Sequence, residues 1–128
     1  MRLILAMALL PGIAAAEPMT AERFDEATLG KTMTWSEFGQ AYGVEQYLPN
    51  RRVRWTFTGD DCMTGHWYPD GNAICFQYED RDTPACWIIG QNGGNLTALD
   101  TEDPPDTPPV IVAETVEPMA CFGPEVGV

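Results

Sequence analysis

The 128-residue chain has one histidine, His66, and one serine, Ser36. A serine-type nucleophile needs a histidine base beside it, and here each residue type occurs once, with Ser36 in a connecting stretch of no special pattern. Basic residues are also scarce, 7 against 19 acidic, for a formal net charge of −12. Nucleic-acid binding draws its affinity from neutralised phosphates, and anionic lipid surfaces attract basic segments, so both partners are disfavoured. No Cys-x-x-Cys pair is present, which removes the usual zinc and thiol-exchange spacings. There is no glycine-rich phosphate loop and no internal repeat. No apolar run approaches the roughly 20 residues that cross a bilayer.

What the sequence does have begins with a short export-like leader. Arg2 precedes the apolar run Leu3–Leu10, Pro11-Gly12 breaks it, and Ala14-Ala15-Ala16 supplies small residues of the kind a signal peptidase reads. Residues 1–16 are read as a signal peptide and 17–128 as a single domain. Losing Arg2 leaves six basic residues against the same 19 acids, a net charge of −13. That acidity suits solubility outside the cytoplasm. The expected setting is periplasmic or secreted, with no membrane span after cleavage and a monomeric chain.

The mature part opens with "TAERFDEATLG". Thr20 is placed to cap a helix, acids sit in its first turns, and Gly30 suits the left-handed position after its end. Beyond Gly30 the period becomes two. "KTMTW" sets Met33 and Trp35 on one face, and "RRVRWTFT" sets Val53, Trp55 and Phe57 against Arg52, Arg54, Thr56 and Thr58. Pro49-Asn50 and "PDGN" mark turns. "AYGVEQYL", "GHWY", "AICFQY", "ACWIIG", "NLTAL" and "VIVAETV" complete about eight short strands. The connections are too short for helical crossovers. The fold class is therefore mainly β: one N-terminal helix, then an antiparallel meander of about eight strands closing into a small barrel or sandwich. The ending "EPMACFGPEVGV" reads as an irregular tail.

Four cysteines in an exported chain imply two disulfides. Cys75 and Cys86 lie on consecutive strands about the "EDRDTP" loop and can face each other across the ladder, which leaves Cys62 for Cys121. The alternative pairing of Cys62 with Cys75 conflicts with the "PDGN" hairpin, in which the residue opposite Cys75 falls near His66. Cys62, Met63 and His66 form a soft, copper-like set on paper, but exported thiols usually pair. No metal or other cofactor is expected.

No catalytic set emerges. Asp60-Asp61, Glu79-Asp80 and the acids of "DTEDPPDTPP" sit at turns, where they favour turn geometry. Asn95 opens a glycosylation sequon that has meaning only outside bacteria. Trp35, Trp55, Trp67, Trp87, Phe57, Phe76 and Tyr78 suit either a packed core or the lining of a ligand cavity, since an eight-strand barrel is just wide enough for one or the other. Arg51, Arg52 and Arg54 hold three of the six mature basic charges. They read either as cross-strand ion pairs, with Glu45 and Glu79 as partners, or as a patch for an anion or a protein partner.

The runs "YGVEQYLPNRRVRW" and "GHWYPDGNAICFQYED", the pair "CW" at residues 86–87 and the ending "CFGPEVGV" resemble a group of small exported proteins of alphaproteobacteria to which no activity is assigned. The resemblance runs from about Leu29 to the end and implies a periplasmic setting. More loosely, a stapled meander is similar in architecture to lipocalin-like periplasmic inhibitor barrels. The function expected is non-catalytic: a periplasmic protein that binds a small ligand or a protein partner through the loops of one barrel end or a small cavity. A small carboxylate-dependent hydrolase, with His66 as participant, and a structural envelope protein are the alternatives.

Overall fold

A computed structural model describes residues 17–58, 61–115, 119 and 121. The leader at 1–16 and most of the C-terminal tail lie outside the described residues. Helix α1, Ala21–Thr28, begins where the sequence places it: the Thr20 side chain accepts from the Arg23 N–H, with Glu22 in the first turn. Its end is set by Gly30 at φ +77°, a left-handed conformation that glycine adopts without strain. Phe24 and Thr28 share the buried face, and the Thr28 hydroxyl donates to the Phe24 carbonyl at 2.7 Å, so no polar group is stranded.

Eight strands follow: β1 Thr32–Glu37, β2 Gln40–Leu48, β3 Arg52–Phe57, β4 Met63–Asp70, β5 Ala73–Tyr78, β6 Ala85–Asn92, β7 Asn95–Asp100 and β8 Val110–Glu114. Each pairs antiparallel with the next, and β8 returns to pair with β1, closing a barrel. Closure leaves no free edge to template aggregation. The alternation in the sequence fixes the inward face: Met33 and Trp35, Val53 and Trp55, Trp67, Ile74 and Phe76, Ile89, Leu96 and Ala98, and Val112 are all buried.

The two disulfides are Cys75–Cys86, linking β5 to β6, and Cys62–Cys121, which ties the C-terminal segment to the approach to β4. One register differs from expectation. Cys75 lies opposite Tyr68, and His66 lies opposite Gln77. The "PDGN" hairpin turns on Gly71 and Asn72 alone, so Pro69 and Asp70 remain in the ladder opposite Ile74 and Ala73 and β4 is longer than "GHWY" suggests. Gly65 shows why a small residue is needed in β4: a Cβ there would stand 2.4 Å from the Gln77 carbonyl oxygen.

Helix α1 closes one end of the barrel. The Met19 N–H bonds to the Ile89 carbonyl at 2.7 Å, and the Gly30 N–H to the Tyr47 carbonyl at 3.0 Å, so the two flanks of the helix are tied to β6 and β2. Between them the Phe24 ring meets Tyr47, Trp67 and Phe76 edge-on, with centroids 5.6, 4.9 and 6.1 Å away. Edge-to-face packing of this kind is favourable beyond the area it buries.

Candidate functional site

The end of the barrel opposite α1 is formed by the C-terminal ends of β1, β3, β5 and β7 and the N-terminal ends of β2, β4, β6 and β8. A cavity of about 690 Å³ opens there. Its wall is aromatic, with Trp35, Trp55, Phe57, Phe76, Tyr78 and Trp87 all contributing. Six of the seven aromatic residues picked out in the sequence thus meet in one place; Trp67 alone belongs to the closed end, packed on Phe24. Trp35 stands edge-on to Trp55 at 6.0 Å and 88° and to Trp87 at 5.2 Å and 62°, so the three indoles face in different directions around the space.

Two local devices shape the wall. The β1–β2 register slips between Trp35 and Ser36: Trp35 is opposite Gly43 and Ser36 opposite Ala41, which leaves Tyr42 as the extra residue of a bulge. A bulge re-aims the side chain it carries, and Tyr42 joins the cavity with its ring 5.9 Å from Trp55. Beside it, a Cβ on Gly43 would fall 2.1 Å from Cζ2 of Trp55, so the absent side chain is the space the indole occupies.

Glu45 lies within this apolar wall. It follows Gly43 on the inward face of β2, opposite Trp55, and is 1% exposed. The Tyr78 hydroxyl donates to its Oε2 at 2.7 Å. Burial pushes the Glu45 carboxyl up to about 8, with the hydroxyls of Tyr78 and Tyr47 acting in the other direction. The carboxyl is therefore mostly protonated at neutral pH. Tyr47 lies near enough to act on the carboxyl, and Trp35 Nε1 near enough to act on Tyr47, but among the described residues neither the Tyr47 hydroxyl nor the Trp35 N–H completes a hydrogen bond of good geometry, and both are buried. Tyr78 and Tyr47 are raised by burial first and by Glu45 next. Tyr42 is pushed up to about 12 by burial, and then by Glu37, Glu45 and Asp100.

The mouth carries Glu37, Asp100, Glu102 and Asp103, with Arg81 as the one basic residue of the lining. Arg81 lies 5.9 Å from the centroid of the Phe57 ring.

The place of Glu45 corrects one expectation. As a partner for Arg52 or Arg54 it would have to point outward, but it sits one residue out of phase with Gln46, which is the residue opposite Arg54. Glu79 does share the outer face, two strands away: its N–H bonds to the Thr64 carbonyl, and Thr64 is opposite Arg54. Among the described residues the ion pair within 4 Å is Lys31–Glu114 instead. The three arginines make different contacts. Arg51, at φ +58° in the turn after β2, holds its guanidinium 4.8 Å from the Trp67 ring centroid. Arg52 is exposed opposite His66, and Arg54 donates to the Cys121 sulfur at 3.1 Å. His66 is also exposed, on the outward face of β4 beside Tyr68 and apart from the cavity. Cys62 is in its disulfide and Met63 is at the mouth, so the copper-like trio is dispersed.

Sequence reading misses Glu45 and Tyr42 as site residues. The signal for Glu45 is nonetheless in the chain: Gly43, Glu45 and Tyr47 alternate in phase, and a carboxylate in an inward register is the anomaly to look for. Tyr42 carries no such signal, because a bulge shifts the phase.

No known protein family, curated protein or solved structure matches the chain.

Proposed function

We propose that this is a non-catalytic binding protein of the periplasm, exported by its leader and cut after Ala16, which takes a small ligand into the open end of its barrel as a monomer. The observation that carries the reading is the cavity of about 690 Å³, walled by aromatic rings, with the buried Glu45 carboxyl as its interior polar group. Ligand sites are commonly apolar concavities of this size with few, well-placed polar groups. The two disulfides fit an oxidising compartment. Among the described residues no helix is long and apolar enough to cross a membrane.

Trp35, Trp55 and Trp87 make the cavity its own reporter. A chemically diverse set of small molecules, screened by tryptophan fluorescence and melting temperature, should yield a ligand that changes both. Ala85 lies exposed at the mouth, so Ala85→Trp should obstruct the cavity, abolish that response and leave the circular dichroism spectrum intact. A ligand bound equally well by Ala85→Trp, or a screen without any response, would overturn the reading.

One observation favours a second reading, a small carboxylate-dependent hydrolase: Glu37, Glu45 and Asp100 all bear on Tyr42 at the mouth. Turnover of a glycoside or ester that is lost in Glu45→Gln would establish it.

A further inference from the structure

Resting on the binding reading, we infer that the cavity takes an organic cation, a quaternary or protonated amine, with its charge held between the Glu45 carboxylate and the faces of Trp35, Trp55 and Trp87. Four observations converge on this class.

The first is the disposition of the rings. Three indoles line one cavity, with Trp35 set steeply against both Trp55 and Trp87. Indole faces carry the negative end of the ring quadrupole and attract cations best of the aromatic side chains. The second is Glu45. Its carboxyl, buried in an apolar wall, can be ionised cheaply only when something compensates the charge, and otherwise holds its proton. Among the described residues no basic side chain forms an ion pair with it. A cation for the ionised form would therefore have to come from outside the described residues.

The third is the set of donors around that carboxyl. The Tyr78 hydroxyl already donates to it, the buried Tyr47 hydroxyl lies beside it, and the Trp35 N–H lies behind Tyr47; among the described residues neither of the last two completes a hydrogen bond of good geometry. Donors arranged around one acid stabilise its anion, and they are of use once an occupant brings a positive charge. The fourth is the mouth, where four acids face one arginine. On a chain of net charge −12 such a mouth concentrates cations and repels anions. A purely apolar ligand would fit the rings but leave both donors and the carboxyl without purpose; an anionic ligand would meet Glu45 and the acidic rim.

Binding is coupled to protons. The titratable groups facing Glu45 are Tyr42 and Tyr47 on its own strand and Tyr78 on β5; Glu37, Asp100 and Arg81 stand further out at the mouth. β1, β3 and β4 present Trp35, Trp55 and Met63, which do not titrate. A cation that requires Glu45 ionised displaces its proton, so affinity rises with pH until the free carboxyl is itself ionised.

The experiment is a fluorescence titration of the full mature protein with choline, with benzyltrimethylammonium and with 3,3-dimethylbutan-1-ol, the neutral carbon counterpart of choline. Nile red serves as a neutral probe of the cavity. The cations should bind at least about tenfold more tightly than the alcohol, in keeping with a desolvated cation–π and charge contact. Their affinity should rise close to tenfold per pH unit between pH 6 and 7.5. Glu45→Gln should abolish that pH dependence and cost tenfold or more in cation affinity, while the circular dichroism spectrum is unchanged. If Nile red enters the cavity and is displaced by the alcohol as readily as by the cations, the ligand class is wrong and the binding reading stands. If neither Nile red nor any of the three compounds binds, both fail.

Discussion

At the closed end of the barrel, Phe24 from α1 drops among Tyr47, Trp67 and Phe76, and rings fill the space between the strands. At the open end, Trp35 approaches Trp55 and Trp87 at similar distances and steep angles, yet the three line a cavity. The strands at the two ends alternate alike, and both ends carry inward aromatic residues. The difference is one element from outside the strand order: a helix is tied across one end through Met19 and Gly30, and among the described residues no element is tied across the other. Aromatic density in a small barrel becomes core or site according to whether something else covers it.

The comparison breaks most visibly at the plug. Phe24 is fully buried, and Phe24→Ala removes a ring from a packed layer, so unfolding in urea should show a loss of about 3–5 kcal/mol. Trp87→Ala, at the partly open wall, should lose under about 2 kcal/mol although more atoms are deleted, because a residue already facing solvent gives up less on truncation. Equal losses at the two positions would mean that the open end is as tightly packed as the closed one.

The same contrast explains what was legible in the sequence. The helix boundaries, the eight strands, closure by a meander and both disulfides follow from local rules: a cap, a period of two, turn residues and register between neighbouring cysteines. The inward residues Met33, Trp35, Val53, Trp55, Ile74 and Phe76 follow from the alternation alone. Whether those inward rings pack or line a cavity does not, since it depends on where α1 docks, and eight residues of amphipathic helix fit either end. Glu45 escaped for a related reason. Its neighbours Val44 and Gln46 are partly buried on the outer face, so the "YGVEQY" run has no clean polar side to show which phase points in. The placement of Arg51 escaped for want of any local sign: at φ +58° it holds its guanidinium over Trp67, which the alternation of Arg52 and Arg54 does not foretell.

Glu45 sharpens the comparison because it is a titratable group within an apolar wall. Its folded pKa, about 8, lies above the ordinary carboxyl value of 4.5. Below 4.5 both folded and unfolded chains hold the proton and Glu45 exacts no penalty. Between 4.5 and 8 the unfolded chain ionises first, so stability falls as pH rises; above 8 both states are ionised and the loss levels off. The fall attributable to this residue is on the order of 5 kcal/mol. Glu45→Gln keeps the shape and lacks the proton, and it should be more stable than the parent at pH 8 by a comparable amount, with the two converging toward pH 4.5. Denaturation midpoints across that range test this. Parallel curves for the two proteins would show that the carboxyl is ionised and compensated in the folded state.

The smallest expected effect concerns the rim. Phe38 and Gly39 connect β1 to β2 as a two-residue turn, at φ +49° and +75°, with Glu37 paired to Gln40 across it. Turns that need positive φ at both central residues favour Asn-Gly, and a bulky side chain in that conformation is strained by about 1–2 kcal/mol. The Phe38 ring recovers little of this by packing, since it is 82% exposed. It stands at the open end, where Glu37 and Tyr42 line the mouth; the closed end has no exposed aromatic residue held in this way among the described residues. Strain of this kind is retained mostly where the side chain has a use. Phe38→Asn should therefore raise stability by about 1 kcal/mol, read from the urea midpoint, and should weaken cavity binding by the fewfold that one flexible rim contact contributes. A gain in stability with binding unchanged would remove Phe38 from recognition. A loss of stability would mean that the ring packs on the fold.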